Sequence, residues 1–263
     1  MVARLSAMLD GIAPDAAAPD AVLVDVIENA PEETLRTMKR GSAGLCVTEK
    51  RRGSLSVTLS FALRTRSARH RAQALEQLRA WAQGSCLTLG HRPDRLLRVR
   101  CTSLPAMGSA LCHADTVQTV LTAFDVPYWQ HAHLSRLSLE GEGAVQGALY
   151  VPGTAPASPL FVSVQSLSDG QVDTLRITCN DTVAAFAGLA LTRGDTLTLR
   201  WDDADRMIAR VLSPSGEERS VLDCLEPASH DQLLCVCGKA STVRVEGGDA
   251  ALSAVVSARG RYL

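Results

Sequence analysis

Residues 54–63 alternate without a break: Leu55, Val57, Leu59, Phe61 and Leu63 interleave with Ser54, Ser56, Thr58, Ser60 and Ala62. Successive side chains of an extended chain point to opposite faces, so this period of two describes a strand with one buried face. Just beyond it the period changes. From Ser67 to Gln83, the residues Ala68, Ala72, Leu75, Leu78 and Ala82 fall on one helical stripe, with Arg69, Arg71, Glu76 and Arg79 mainly off it. Ser67 suits the N-cap of that helix and Gly84 its stop. A long one-faced strand running straight into a single helix requires a mixed α+β unit.

Two short strands are expected next, around 86–89 and 96–102, joined by the turn His91-Arg92-Pro93-Asp94, and a further strand near 116–124. After that the patterning is wholly β. Strands are expected near 134–139, 160–165, 173–179, 195–201, 206–212, 241–246 and 252–257. Clusters such as Pro152-Gly153, Ser168-Asp169-Gly170, Gly194-Asp195, Pro214-Ser215-Gly216 and Gly247-Gly248 separate most of them. Short strands at this spacing, with no helical period between them, describe an antiparallel sandwich. The fold class is therefore mainly β, with an α+β domain at 1–131 and an all-β sandwich at 132–263. Residues 150–159, rich in proline, read as a loop inside the second domain or as the linker itself.

The chain has 263 residues, enough for two ordinary domains, and its 46% hydrophobic content supports a packed core. Aromatic residues make up only 4%, so the core is built from Val, Leu and Ala, and a base- or sugar-stacking surface is disfavoured. Charge is uneven. Residues 1–131 carry 16 Lys and Arg against 12 Asp and Glu, and residues 132–263 carry 11 against 16. Between Lys50 and Arg100, 12 basic residues face only Glu76 and Asp94. Base-reading motifs are absent, so this basic stretch reads as a solvated or subunit-facing surface and not as a specific nucleic-acid site.

No stretch approaches the length of a membrane span, and Asp10 interrupts the first apolar run before a signal-peptide core is complete. A soluble, unprocessed chain is expected. The eight cysteines are dispersed and sit mostly inside apolar strand patterns, which suits buried free thiols made in a reducing cytoplasm.

Catalytic chemistry finds little support. Ser229-His230-Asp231 are sequence neighbours, and adjacent side chains do not converge as a nucleophilic triad requires. Gly238-Lys239-Ala240-Ser241 lacks the upstream glycine of a phosphate loop. Cys224, His230, Cys235 and Cys237 offer a zinc set on paper, but Cys-x-Cys is not the usual knuckle, and on a strand Cys235 and Cys237 share a core-like face with Leu233. Asp202, Asp203 and Asp205 occupy a hairpin turn where Asp is favoured for backbone reasons, with calcium as the competing reading. His131 and His133 share a strand face with no third ligand near in sequence. Trp81 reads as a core anchor of the first domain, with Tyr128-Trp129 a similar anchor at the boundary. No cofactor and no catalytic residue is expected.

The order of motifs is more telling than any one of them. Met8-Leu9-Asp10-Gly11-Ile12 opens the chain; a long strand leads to the helix ending Leu78-Arg79-Ala80-Trp81; the Pro93-Asp94-Arg95 turn follows, then Phe124 and Pro127-Tyr128-Trp129. In the second half Gly194-Asp195 precedes Leu199-Arg200-Trp201-Asp202, Cys237-Gly238 precedes Thr242-Val243-Arg244-Val245, and Arg259-Gly260-Arg261-Tyr262-Leu263 closes the chain. This succession resembles, over essentially its full length, the distal tail proteins of long-tailed bacteriophages (siphoviruses). The resemblance implies a virion protein of the tail tip, made in the bacterial host cytoplasm. Its first domain forms a hexameric belt or ring, and its second is a galectin-like sandwich. Its implied partners are copies of itself, the tail tube protein, and the tail-associated or fibre proteins. The alternative is a carbohydrate-binding adhesion module.

For a ring, one face of each subunit must meet a different face of the next. Strand 54–63 is expected to offer an extended edge, and Arg64, Arg66, Arg69 and Arg71 a basic subunit-facing rim. Asp20, Asp25, Glu28, Glu32 and Glu33 are candidates to face that rim from a neighbour.

Overall fold

In the computed structural model the described residues are 5–31, 33–39, 45–65, 67–106, 116–201 and 206–263. The chain divides into two compact units, Met1–Trp129 and Gln130–Leu263.

The first unit runs β1 (Ala7–Leu9), α1 (Pro14–Ala17), β2 (Ala21–Asn29), β3 (Glu33–Lys39), β4 (Leu45–Arg52), β5 (Leu55–Leu63), α2 (Ala68–Trp81), β6 (Cys86–Leu89), β7 (Arg92–Arg98), β8 (Arg100–Ser103) and β9 (Thr116–Ala123). Its main sheet is antiparallel in the order β2-β5-β9-β8. The alternation in β5 does what its period demands: Val57, Leu59 and Phe61 are wholly buried, with Leu55 and Leu63 nearly so. Opposite them on β9 lie Val117, Leu121 and Ala123, all buried, with Phe61 paired to Val117 and Val57 to Leu121. A second sheet has the order β1-β6-β7, and β3 pairs with β4 as a separate hairpin.

Helix α2 begins where expected, with the Ser67 hydroxyl accepting the His70 N–H at 3.2 Å. Its buried face differs from the expected stripe. Ala74, Leu75, Leu78, Trp81 and Ala82 are buried, whereas Ala68 and Ala72 are exposed. The large side chains Leu75, Leu78 and Trp81 set the direction of the face. At about 100° per residue, Arg71 and not Ala72 lies over it. The described residues also contain the short helix α1, so the single expected helix is joined by another, four residues long.

The second unit contains β10 (Trp129–Tyr150), β11 (Ser158–Ser166), β12 (Val172–Cys179), β13 (Thr182–Leu191), β14 (Thr196–Trp201), β15 (Met207–Leu212), β16 (Glu218–Ser220), a 3-10 turn at Leu222–Cys224, β17 (Leu234–Cys235) and β18 (Ala240–Tyr262). Strand order is β10-β18-β11-β14-β15-β16, with β12 pairing both β18 and β13. Two strands expected at 241–246 and 252–257 are one. Val243–Glu246 pairs with β12 and Leu252–Ala258 with β11, so β18 pairs with two different strands along its length. The strand bends at Gly247-Gly248, where a Cβ on Gly247 would lie 2.6 Å from Leu252 Cδ1 and Gly248 has φ +65°. The expected turn is thus a corner within a strand. Val243, Val245, Leu252, Ala254 and Val256 are buried, as are Leu160, Val162, Val164, Leu175, Ile177, Leu197 and Leu199, in a core made mostly of aliphatic side chains.

Candidate assembly interface

Side chains that resemble catalytic groups are occupied by the fold. Ser229 Oγ accepts the Ala185 N–H at 3.0 Å and donates to the Ala185 carbonyl at 3.2 Å. His230 Nδ1 accepts the Val183 N–H at 3.1 Å, while the His230 N–H donates to the Val183 carbonyl at 2.8 Å. The Asp231 carbonyl takes the Trp201 indole N–H at 2.7 Å. Residues 226–231 therefore cover the outer edge of β13, partly with side chains standing in for a strand.

Cys235 and Cys237 are buried on one face with Leu233, as the alternation requires. Burial pushes the Cys235 thiol up to about 12, with the neighbouring Cys179 and Cys237 thiols adding to the shift, and pushes Cys179 up to about 11. Neutral thiols of this kind are core side chains. Cys224 lies apart, its thiol 3.5 Å from the Gly188 carbonyl. Among the described residues no three His, Cys, Asp or Glu side chains converge as a metal site. Asp202, Asp203 and Asp205 lie outside the described residues. Gly238-Lys239 is a turn, in which Gly238 has φ +75° and donates to the Val151 carbonyl.

One open trough of about 470 Å³ lies beside Gln171, Asp173 and Asp249, with Gly170, Gly247 and Gly248 in its wall. Its lining contains no ring for a sugar to stack on.

The main sheet of the first unit is the candidate surface for assembly. Strand β5, expected to be an edge, is internal: β2 pairs it on one side along Ala21–Asn29, and β9 on the other along Thr116–Ala123. The physical reason lies in its own pattern, since a strand with five buried apolar residues is the natural centre of a sheet. Among the described residues the outer strands of this sheet are β2 and β8. On β2, Val24 and Ile27 are 42% and 44% exposed, so apolar β-branched residues stand on an outer strand. Sequence reasoning passed over this strand, although the run Ala21-Val22-Leu23-Val24 carries a strong β signal.

Of the four arginines, Arg64, Arg69 and Arg71 are among the described residues. Arg64 and Arg69 are exposed, with the Arg64 backbone N–H donating to the Asp20 carbonyl at 2.7 Å. Arg71 folds back, its Nε donating to the Thr65 carbonyl at 3.0 Å. Arg66 lies outside the described residues. Of the acidic candidates, Asp20 and Asp25 are exposed, and Glu32 lies outside the described residues. Glu28 is held within its own subunit by His91 Nε2 at 2.9 Å and Arg92 Nη1 at 3.1 Å. The Arg92 guanidinium in turn lies 5.5 Å from the centre of the Trp129 ring.

Among solved structures, SPP1 Dit, presented as a paradigm of the hub adsorption apparatus in phages that infect Gram-positive bacteria, matches 98% of this chain and 99% of its own. The TM-score is 0.66 at 10% identity. A chain of the phage P2 baseplate, in its activated conformation with Ca, matches 99% of this chain and 98% of its own, with a TM-score of 0.51 at 8% identity. No protein-family model matches the chain, and no curated protein matches its sequence. The shared feature is the fold, along the whole length of both chains, and it is the fold that the distal tail resemblance implies.

Proposed function

We propose that this chain is a structural protein of a phage tail tip, a non-catalytic hub whose copies close into a ring. The observation that carries the reading is the main sheet of the first unit. Among the described residues its order β2-β5-β9-β8 leaves one outer strand on each side. Because the sheet is antiparallel with an even number of strands, β8 of one copy beside β2 of the next continues the alternation without a break. Such a contact is heterologous, and repeating it around an axis generates a closed ring. Closure also disposes of two edges that would otherwise invite uncontrolled pairing.

The fold shared with SPP1 Dit supports placing that ring at the tail tip. There it joins the tail tube to the receptor-binding or fibre machinery as a hexamer, the number implied by the distal tail resemblance. The ring-forming surface belongs to residues 1–131, and residues 132–263 form a separate sandwich domain turned to other partners. Among the described residues no helix is long and apolar enough to cross a membrane. The backbone duties of Ser229 and His230 support a non-catalytic role. A carbohydrate-binding role gains nothing from the trough at Asp173 and Asp249, which offers no stacking surface.

Light scattering combined with negative-stain electron microscopy of the purified full chain tests the reading. A ring of six subunits is the expected result. A strict monomer at high micromolar concentration, without rings when tail tube protein is added, overturns it.

A further inference from the structure

The sequence pairs His131 and His133 two apart near the start of β10, and the fold brings their rings to 5.9 Å between centroids, inclined at 58°. Two imidazoles bound to one ion through bonds of about 2.0–2.1 Å have centroids about 5 Å apart. The observed separation is about 1 Å wider, a gap for the exposed His133 side chain to close by rotation. Tyr262 stacks on the His131 ring at 6.4 Å and 29°, which restricts that ring to its present orientation.

The hydrogen bonding of His131 sets up the chemistry. Its Nδ1 lies 3.1 Å from the His133 carbonyl oxygen and 3.2 Å from the His133 backbone nitrogen. In one tautomer Nδ1 accepts the His133 N–H, and the proton sits on Nε2. In the other, Nδ1–H donates to the His133 carbonyl, and Nε2 carries a free lone pair. Histidines that bind metals favour the second arrangement, because a carbonyl holding the Nδ1–H fixes the tautomer and raises the basicity of the ligating nitrogen.

We propose that His131 and His133 form an open two-histidine site for a late first-row divalent cation such as Ni²⁺, Cu²⁺ or Zn²⁺. Imidazole donors favour these ions over Mg²⁺ or Ca²⁺, which take oxygen ligands. Two protein ligands leave the remaining positions to water, so the site is exchangeable and the fold does not depend on it. Arg259 Nη1 donates to the His131 and Ala132 carbonyls at 3.0 and 3.1 Å. That guanidinium braces the backbone of the pair, and its charge keeps the cation affinity below that of a structural zinc site. The site is independent of the assembly proposed above.

Calorimetric titration of the full chain with NiCl₂ and ZnCl₂ at neutral pH tests the assignment. One ion per chain is expected, with MgCl₂ giving no heat. His131→Ala and His133→Ala should each weaken binding at least about tenfold, while His91→Ala and His230→Ala leave it unchanged. The thermal melt of His133→Ala should match the parent, since His133 is exposed. With CuCl₂, electron paramagnetic resonance should show two imidazole nitrogens on the copper. No binding, binding indifferent to both site variants, or a copper spectrum with a single imidazole overturns the assignment.

Discussion

The indole N–H of Trp81 donates to the carbonyl oxygen of Ile12 at 2.9 Å, tying the end of α2 to the opening turn of the chain. The same ring meets Phe61 edge-on, at 5.8 Å and 84°, which joins the helix to the central strand β5. Beside it, the Asp10 carboxylate accepts the backbone N–H groups of Ser85 and Cys86 at 3.0 and 2.9 Å. Gly84 is needed at this crossing because a Cβ there would lie 2.8 Å from Leu9 Cβ.

Trp81 is thus the anchor of the first unit. Trp81→Ala should cost about 3–5 kcal/mol, the range for removing a buried aromatic side chain. Trp81→Phe should cost less, because most of the packing is kept and the Ile12 carbonyl still accepts the Leu9 N–H at 3.0 Å. Urea denaturation of the full chain, followed by far-ultraviolet circular dichroism, measures both. Near-equal losses in the two variants would show that the hydrogen bond, not the packing, holds the helix.

The second unit should lose stability at alkaline pH. Burial raises the Cys179 thiol to about 11 and the Cys235 thiol to about 12. In the unfolded chain both titrate near about 8.5. Folding therefore retains protons that the unfolded state releases, so the contribution of these thiols is complete below about pH 8.5 and falls as pH rises toward 11–12. Stability measured from pH 7 to 10.5 should decline, and Cys179→Ala combined with Cys235→Ala should flatten the decline. A slope unchanged by the double variant would assign it to other groups.

Ser229 and His230 carry backbone duties, and their substitution should be felt in β13. Ser229→Ala leaves the Ala185 N–H without its 3.0 Å partner, a loss of about 1 kcal/mol at a half-exposed site. Hydrogen exchange at Ala185, and at Val183 in His230→Ala, should accelerate while the amides of β12 keep their protection. Unchanged exchange at both positions would mean that residues 226–231 do not protect this edge.

Much of the fold is legible in the sequence where burial is one-sided. The period of two in β5, the Ser67 cap, and the alternating burial of Leu233, Cys235 and Cys237 follow directly from side-chain pattern. Strand β13 escaped because Ala184, Ala185 and Phe186 are buried in succession, and alanine marks neither face of a strand. Gly247-Gly248 reads locally as a turn; only the packing of Leu252 beneath it shows a bend within β18. The edge position of β2 is a property of sheet order, which no local pattern encodes.

The arrangement of β2 makes the proposed ring testable at two residues. Val24 and Ile27 are exposed on an open edge, so replacing both with lysine removes little packing and should change stability by no more than about 0.5 kcal/mol each. Lysines on an edge strand oppose pairing with another strand. The expected outcome is a folded Val24→Lys/Ile27→Lys protein that no longer closes into rings, read by mass measurement beside the parent. Full assembly of the folded variant would remove β2 from the interface. Residues 132–263 expressed alone should be monomeric, since the ring-forming edges lie in the other half. A ring formed by that half, with a monomeric 1–131, would reverse the assignment of the two domains. Exposed Arg64 and Arg69 add a separate arm, because ion pairs at such positions contribute about 0–1 kcal/mol each and are screened by salt. If they orient neighbouring subunits, raising sodium chloride should shift the ring-to-monomer balance toward monomer, and Arg64→Gln with Arg69→Gln should abolish that shift. Assembly indifferent to salt would leave the strand edges as the interface and exclude the arginines from it.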